Sequence, residues 1–401
     1  MGFGTVLRTL RAETGLTQEE LADRSGLSVR AIRNLESGRT ARPQRQSVVL
    51  LATALGLAEQ DRATLLASAG RPAPVLPGRC ELPPDVPELF ARDAATAALT
   101  RLLTTDGPRL ALITGGPGVG RTALAVRVAH RVRTHFPDGQ IFADIDQPDG
   151  SPMSVDDVLA RVLRSLGHPV PPPTRDEAAA LARAELTARR VLVVLDNVAA
   201  EAQVRLLLTG DSPSAVLLTS RRRLVALPGA HTVRLEPFGL DCALVMLTRL
   251  IGVRAVQRDP ASAKAVAAAC SCLPLALHIA GTWLASHPHR TLADLAARLA
   301  EHGLDQLTLA DLSMRASIEA HVNELRPEDR QLLRGLSHVD DAGLSPDPTH
   351  HGADQCTDYD ALARLAFANL LTPTRDGYRL DQLVRRYARE DAGQPRLRAA
   401  R

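Results

Sequence analysis

Residues 3–70 repeat their apolar positions at helical spacing. The segment 4–13 sets Val6, Leu7 and Leu10 on one side. Thr17 with Glu20 three residues on is a capping box that opens a helix with Leu21 and Ala22 facing inward. Ser25-Gly26-Leu27 makes a tight turn, Ser28 caps a second helix over 29–36, and Gly38 closes it. Two short helices joined by a Gly-containing turn form a helix-turn-helix. Ile32 and Leu35 fall on its inner face, which leaves Val29, Arg30, Arg33 and Asn34 pointing outward.

From Glu88 the period changes. Apolar runs at 110–114, 140–145, 191–195, 215–219 and 232–235 predict strands, and 120–134, 155–166, 175–188 and 201–208 predict helices between them. Alternation of this kind predicts a parallel sheet covered on both faces, with ligands at the carboxyl ends of the strands. The stretch from 241 to 299 is helical throughout, and Pro327 opens a further helix. The fold class is therefore multidomain. An all-α helix-turn-helix domain (1–70) and a linker (71–87) precede an α/β phosphate-loop domain (88–237), a helical subdomain (238–310) and a last subdomain (311–401). Six prolines stiffen the linker toward an extended conformation.

Composition narrows the class. With 401 residues and 45% hydrophobic content the chain can bury several cores, and at 2% aromatics these are built of Leu, Val and Ala. No run approaches the ~20 apolar residues of a membrane span, and the N-terminus lacks the core of a signal peptide. Five scattered cysteines fit reduced thiols in a cytoplasm, and Cys270 and Cys272 fit plain packing. The net charge of +3 is mild, and Lys264 is the single lysine, so arginine supplies almost all cations. His287, His289, His350 and His351 lack cysteine partners at zinc spacing.

The candidate chemistry sits at three strand ends. Gly115, Gly116, Pro117, Gly118, Val119, Gly120, Arg121 and Thr122 have the spacing of a phosphate-binding loop, G-x-x-x-x-G-K-[ST], with Arg121 where lysine is expected. Backbone N–H groups and a helix N-terminus would hold phosphates there, and the Thr122 hydroxyl would hold Mg²⁺. Val191 to Leu195 is a buried strand delivering Asp196, the second Mg²⁺ contact, with Asn197 at the place of a catalytic base or water-positioner. Arg221, at the end of the next strand, can sense a γ-phosphate. Around the second short helix, Arg24, Arg30, Arg33, Arg39, Arg42 and Arg45 are opposed only by Glu36, a pattern that attracts DNA phosphates. Arg30, Arg33 and Asn34 can read base edges.

Thr17-Gln18-Glu19-Glu20-Leu21-Ala22, Gly26-Leu27-Ser28 and Leu35-Glu36-Ser37-Gly38 resemble the phage-repressor (Xre/Cro-type) DNA-binding family. That resemblance implies a recognition helix in the major groove, with Gln18 and Ser28 near phosphates. The phosphate loop, the Asp196 strand and Arg221 together resemble the NB-ARC branch of the AAA+-related signalling ATPases. Antibiotic-pathway regulators of high-GC bacteria share this architecture. The resemblance extends onward. Phe90-Ala91-Arg92-Asp93 matches the segment touching the adenine side, and Cys272-Leu273-Pro274-Leu275-Ala276 matches the motif whose Pro274 contacts the nucleotide. Residues from 311 match a winged helix, in which Leu380, Asp381 and Gln382 fall where the family carries a Met-His-Asp-like triplet. The histidine that reads the β-phosphate of ADP is missing there, and an acid, Asp381, would face a phosphate. The family's repeat sensor has no counterpart in a repeat period here.

The resemblance implies a cytoplasmic DNA-binding transcription regulator gated by ATP or ADP with Mg²⁺. Double-stranded DNA, nucleotide, a second copy of the chain and RNA polymerase are the expected partners. Dimerisation on paired half-sites would supply specificity. Two other readings remain: a degenerate nucleotide domain serving as scaffold, and an AAA-like motor. Arg121 and Asn197 argue against the motor and for at most a slow ATPase.

Overall fold

The computed structural model describes residues 3–37, 45–57, 79–86, 88–105, 107, 109–147, 150–210, 212–339, 359–375 and 377–393. The chain divides into two compact units, Met1–Pro77 and Gly78–Arg401.

The first unit is helical: α1 (Phe3–Glu13), α2 (Gln18–Ser25), α3 (Val29–Glu36) and α4 (Arg45–Ala54). Leu7, Leu21, Ile32 and Leu51, one from each helix, are fully buried together. Thr17 and Glu20 form the expected capping box, Gly26 ends α2 in the left-handed region (φ 69°), and Ser28 caps α3. Gly38 lies outside the described residues.

The second unit begins with residues that read as linker in the sequence. Arg79 and Glu81 pair with Gln140 through two backbone hydrogen bonds, of 2.9 and 2.8 Å, and Asp85 is ion-paired with Arg127 at 2.8 Å. Residues 79–86 thus lie against the sheet unit, because their backbone groups complete an otherwise open strand edge. Residues 71–78 and 87 lie outside the described residues.

Elements then alternate: α5 (Asp93–Thr104), β1 (Leu110–Gly115), α6 (Arg121–Val132), β2 (Gly139–Asp144), α7 (Val155–Ser165), α8 (Arg175–Ala188), β3 (Val191–Asp196), α9 (Ala202–Arg205), β4 (Ala215–Ser220) and β5 (His231–Leu235). The five strands are parallel in the order β2-β3-β4-β1-β5. Side chains alternate between faces. Val191, Val193 and Leu195 join the core under α7 and α8, while Leu192 and Val194 join the core under α5 and α6. The helix expected over 201–208 shrinks to the four residues of α9.

There follow α10 (Leu240–Ile251), α11 (Val253–Arg258), α12 (Pro260–Ala269), α13 (Pro274–Ala285), α14 (Leu292–His302), a two-residue pair β6 (Thr308–Leu309) and β7 (Leu312–Ser313), α15 (Met314–Asn323), α16 (Pro327–Leu336), α17 (Tyr359–Phe367), the hairpin β8 (Leu371–Thr374) and β9 (Gly377–Leu380), and α18 (Gln382–Gly393). The helices from α10 to α14 and the helices and hairpin after them share one buried core running from Phe238 to Ala388. Cys270 is fully buried in it, and burial pushes its thiol pKa up, consistent with packing. Among the described residues no helix is long and apolar enough to cross a membrane.

Candidate functional site

In the first unit α3 presents Arg30 and Arg33 exposed, with Asn34 half-buried. Val29 differs from expectation, since it packs against the core. Gln18 and Ser28 are also engaged internally. Gln18 Nε2 donates to Glu36 at 2.7 Å, and Ser28 Oγ accepts from Ala31 N–H at 3.2 Å. Glu36 is buried, bound by Arg11 Nε at 2.6 Å, and so does not oppose the exposed arginines. Arg39 and Arg42 lie outside the described residues.

The nucleotide side is built on the carboxyl ends of β1, β3 and β4. Thr122, in the first turn of α6, places its hydroxyl 2.8 and 3.0 Å from the two oxygens of Asp196, at the end of β3. Thr219 from β4 donates to the same carboxylate at 2.5 Å. Asp196 is buried, which raises its pKa, while the two threonine hydroxyls oppose the rise. Asn197 takes a left-handed turn (φ 62°) and donates through Nδ2 to Asp144, the β2 neighbour, at 3.1 Å.

Beside this pair lies a cavity of about 810 Å³, within the range of small-molecule sites. It is bordered by Gly118 to Thr122, Phe90, Arg92, Phe238 and Pro274. Arg92 lies 4.8 Å over the Phe238 ring and donates to the carbonyls of Val119 (3.3 Å) and Glu236 (2.7 Å). Pro274 starts α13, and Leu275 N–H donates to Gly118 O at 3.1 Å, which fixes this helix to the loop.

Arg121 does not reach outward. Its Nη1 donates back to the carbonyls of Gly115 and Gly116, the latter at 2.7 Å, and meets His321 Nε2 at 3.1 Å. Its Nε is buried without a partner. Burial, then the charge of Arg221, lowers its pKa to about 10. His321 Nδ1 donates to Ser317 O at 2.9 Å, so the neutral ring can accept from Arg121 through Nε2. Burial and the nearby Arg121 charge hold His321 well below its usual pKa.

Arg221 is ion-paired with Asp146, from the loop after β2, and at 2.7 Å with Glu324, at the end of α15. Burial works against its charge, but the two carboxylates outweigh burial and raise its pKa. Asp381 shares a cavity of about 100 Å³ with Gly116 and Pro117, and its Oδ1 accepts from Leu383 N–H (2.8 Å) and Val384 N–H (3.4 Å) and so caps α18.

Sequence reasoning missed Ser317, His321 and Glu324. Gly118 N–H donates to Ser317 Oγ at 3.0 Å. Their only signal was helical spacing in α15, which any amphipathic helix shares. Among the described residues no cluster of His, Cys, Asp and Glu fit to hold a metal is found. His287 stacks on Trp283 at 4.3 Å, and His350 and His351 lie outside the described residues.

The helix-turn-helix domain family matches residues 3–65, and the NB-ARC domain family matches residues 92–252. The regulatory protein AfsR of Streptomyces griseus is 39% identical over 319 residues, covering 77% of this chain and 33% of that protein. AfsR of Streptomyces coelicolor is 37% identical over 324 residues with the same coverage. The chain thus spans about a third of the length of the curated relatives it matches. Among solved structures, a Walker-type ATPase of Pyrococcus abyssi aligns with a TM-score of 0.49 and 14% identity, over 77% of this chain and 99% of that one. The chain joins a helix-turn-helix domain to an NB-ARC domain and is homologous to the AfsR regulatory proteins.

Proposed function

We propose that this chain is a DNA-binding transcription regulator whose NB-ARC unit is gated by ATP and ADP. The observation that carries the reading is the Thr122–Asp196 pair at the edge of the 810 Å³ cavity. A hydroxyl and a carboxylate so joined are the protein's half of a Mg²⁺-nucleotide site. The backbone of Gly115 to Gly120 would hold phosphates, Arg92 and Pro274 would border the base side, and Asn197 would orient water. Bound triphosphate with Mg²⁺ supplies the negative charge that these groups are arranged to meet. Arg121, folded onto its own loop, and Arg221, held by two carboxylates, favour nucleotide binding with slow hydrolysis over rapid turnover.

On the DNA side, Arg30, Arg33 and Asn34 of α3 would read base edges. Two copies on paired half-sites would supply specificity. Arg39 completes the basic patch in this reading, and RNA polymerase is the further partner of such a regulator. AfsR is a regulatory protein by name, and the same role in a specialised-metabolism gene cluster is proposed here. A scaffold without a switch is the second reading, favoured by the inward Arg121.

Nucleotide acts as a switch only by binding two states differently. Operator DNA selected from a random library should therefore bind with different affinity in ADP, in a non-hydrolysable ATP analogue and without nucleotide. Equal affinities and equal oligomeric states in all three would leave the scaffold reading.

A further inference from the structure

Four side chains on α15 and at its end touch the nucleotide site at intervals of three, four and three residues: Met314, Ser317, His321 and Glu324. Such spacing lays them along one stripe of a helix. Together they meet three parts of the site: Gly118, Arg121 and Arg221. Gly118 has φ 67°, and a Cβ there would come within 2.8 Å of Met314 Sδ, so the loop and α15 are in close contact. Ser317 Oγ accepts the Gly118 N–H, Glu324 Oε1 accepts from Arg221 at 2.7 Å, and His321 Nε2 lies 3.1 Å from Arg121 Nη1, where the neutral ring with Nδ1 donating to Ser317 O presents an acceptor. The partners of this stripe are a loop N–H and two arginines, the kinds of donor that receive phosphate oxygens in such sites. All three α15 groups face them with an acceptor atom.

We infer that the α15 stripe is a built-in substitute for nucleotide phosphates, competing with them for Gly118, Arg121 and Arg221. This rests on the nucleotide-binding reading above and goes beyond it. The contact between the winged-helix part and the loop would be made in place of nucleotide, not through it. A site that is competent only when α15 is displaced binds with an apparent affinity reduced by the competent fraction. The stripe also sorts nucleotides. Ser317 and His321 yield to any phosphate in the loop, whereas Glu324 yields only to a group that reaches Arg221, the third phosphate.

The test is titration of the full chain with ATP and with ADP in Mg²⁺, using wild type, Ser317→Ala and Glu324→Gln. Ser317→Ala should tighten both nucleotides by about fivefold, ~1 kcal/mol at 1.4 kcal/mol per decade. Glu324→Gln should tighten ATP by a similar factor and ADP by less than about twofold. Hydrogen exchange of the wild type supplies a second readout, independent of any variant. Saturating ATP should raise exchange across residues 314–324. Nucleotide that binds wild type and both variants equally, or that leaves α15 as protected as before, overturns the competition and spares the nucleotide reading. Failure of wild type and both variants to bind any nucleotide overturns the reading itself, and the competition with it.

Discussion

Arg121 keeps its charge at neutral pH, since burial lowers its pKa only to about 10. What it lacks is freedom. Its Nη1, with two hydrogens, is shared among two loop carbonyls and an imidazole. An ammonium on a flexible stem is a more compact charge that can turn toward phosphate oxygens. Arg121→Lys should therefore raise hydrolysis by about tenfold, ~1.4 kcal/mol of barrier. Phosphate release in single turnover reads this, and an unchanged rate with unchanged affinity would show that position 121 does not limit the site. Other residues show where a motif stops being informative. The Thr122–Asp196 contact was legible because both partners end recognisable patterns. Arg221 lies at the expected strand end, but nothing in its neighbours announced Asp146 and Glu324. Asp381 carries a further signal in the sequence, since an acid just before a helical pattern is an N-cap.

Elements were easier to read than their partners. All five strands lie within about a residue of the apolar runs, and the three central ones, β1, β3 and β4, are buried along their whole length and read as continuous apolar strings. The role of α15 was not legible, since its contacts bridge about 200 positions of chain and its residues are ordinary for an amphipathic helix. In the helix-turn-helix unit, Glu36 ties α1 and α2 to α3 through Arg11 and Gln18. Burial alone would raise its pKa, but those two partners outweigh burial and lower it. The stabilisation is thus present above the ordinary carboxylate range near ~4.3 and fades as pH falls through the lowered value. Glu36→Gln should cost this unit about 2 kcal/mol at neutral pH and flatten its stability below ~5. Urea midpoints of its methyl NMR signals between pH 3 and 7 check both parts. Parallel pH profiles in the two proteins would rule Glu36 out as the cause.

Across the whole molecule, cationic side chains divide into those turned outward and those already used. The arginines of α18 are of the second kind. Arg386 donates to the carbonyls of Leu299, Ala300 and Glu301 at the end of α14, and Arg389 donates to Ser337 O after α16. They complete helix termini, where carbonyls lack partners. Arg24 of α2 and Arg30 and Arg33 of α3 are exposed and are of the first kind. Arg24→Ala should weaken all DNA sequences alike and lower the salt slope by about one unit. Arg33→Ala should cost about 1–3 kcal/mol on the selected operator alone. Affinities measured from ~50 to ~200 mM salt separate the two, and identical effects on operator and random DNA would remove Arg33 from base reading. The shared core from Phe238 to Ala388 has a mechanical consequence. Close-packed side chains transmit displacement instead of absorbing it. Any displacement of the helices from α10 to α14 relative to the sheet would therefore carry α15 to α18 with it. A parting of the contact at Gly118 would then grow with distance along this core, as travel grows toward the tip of a lever.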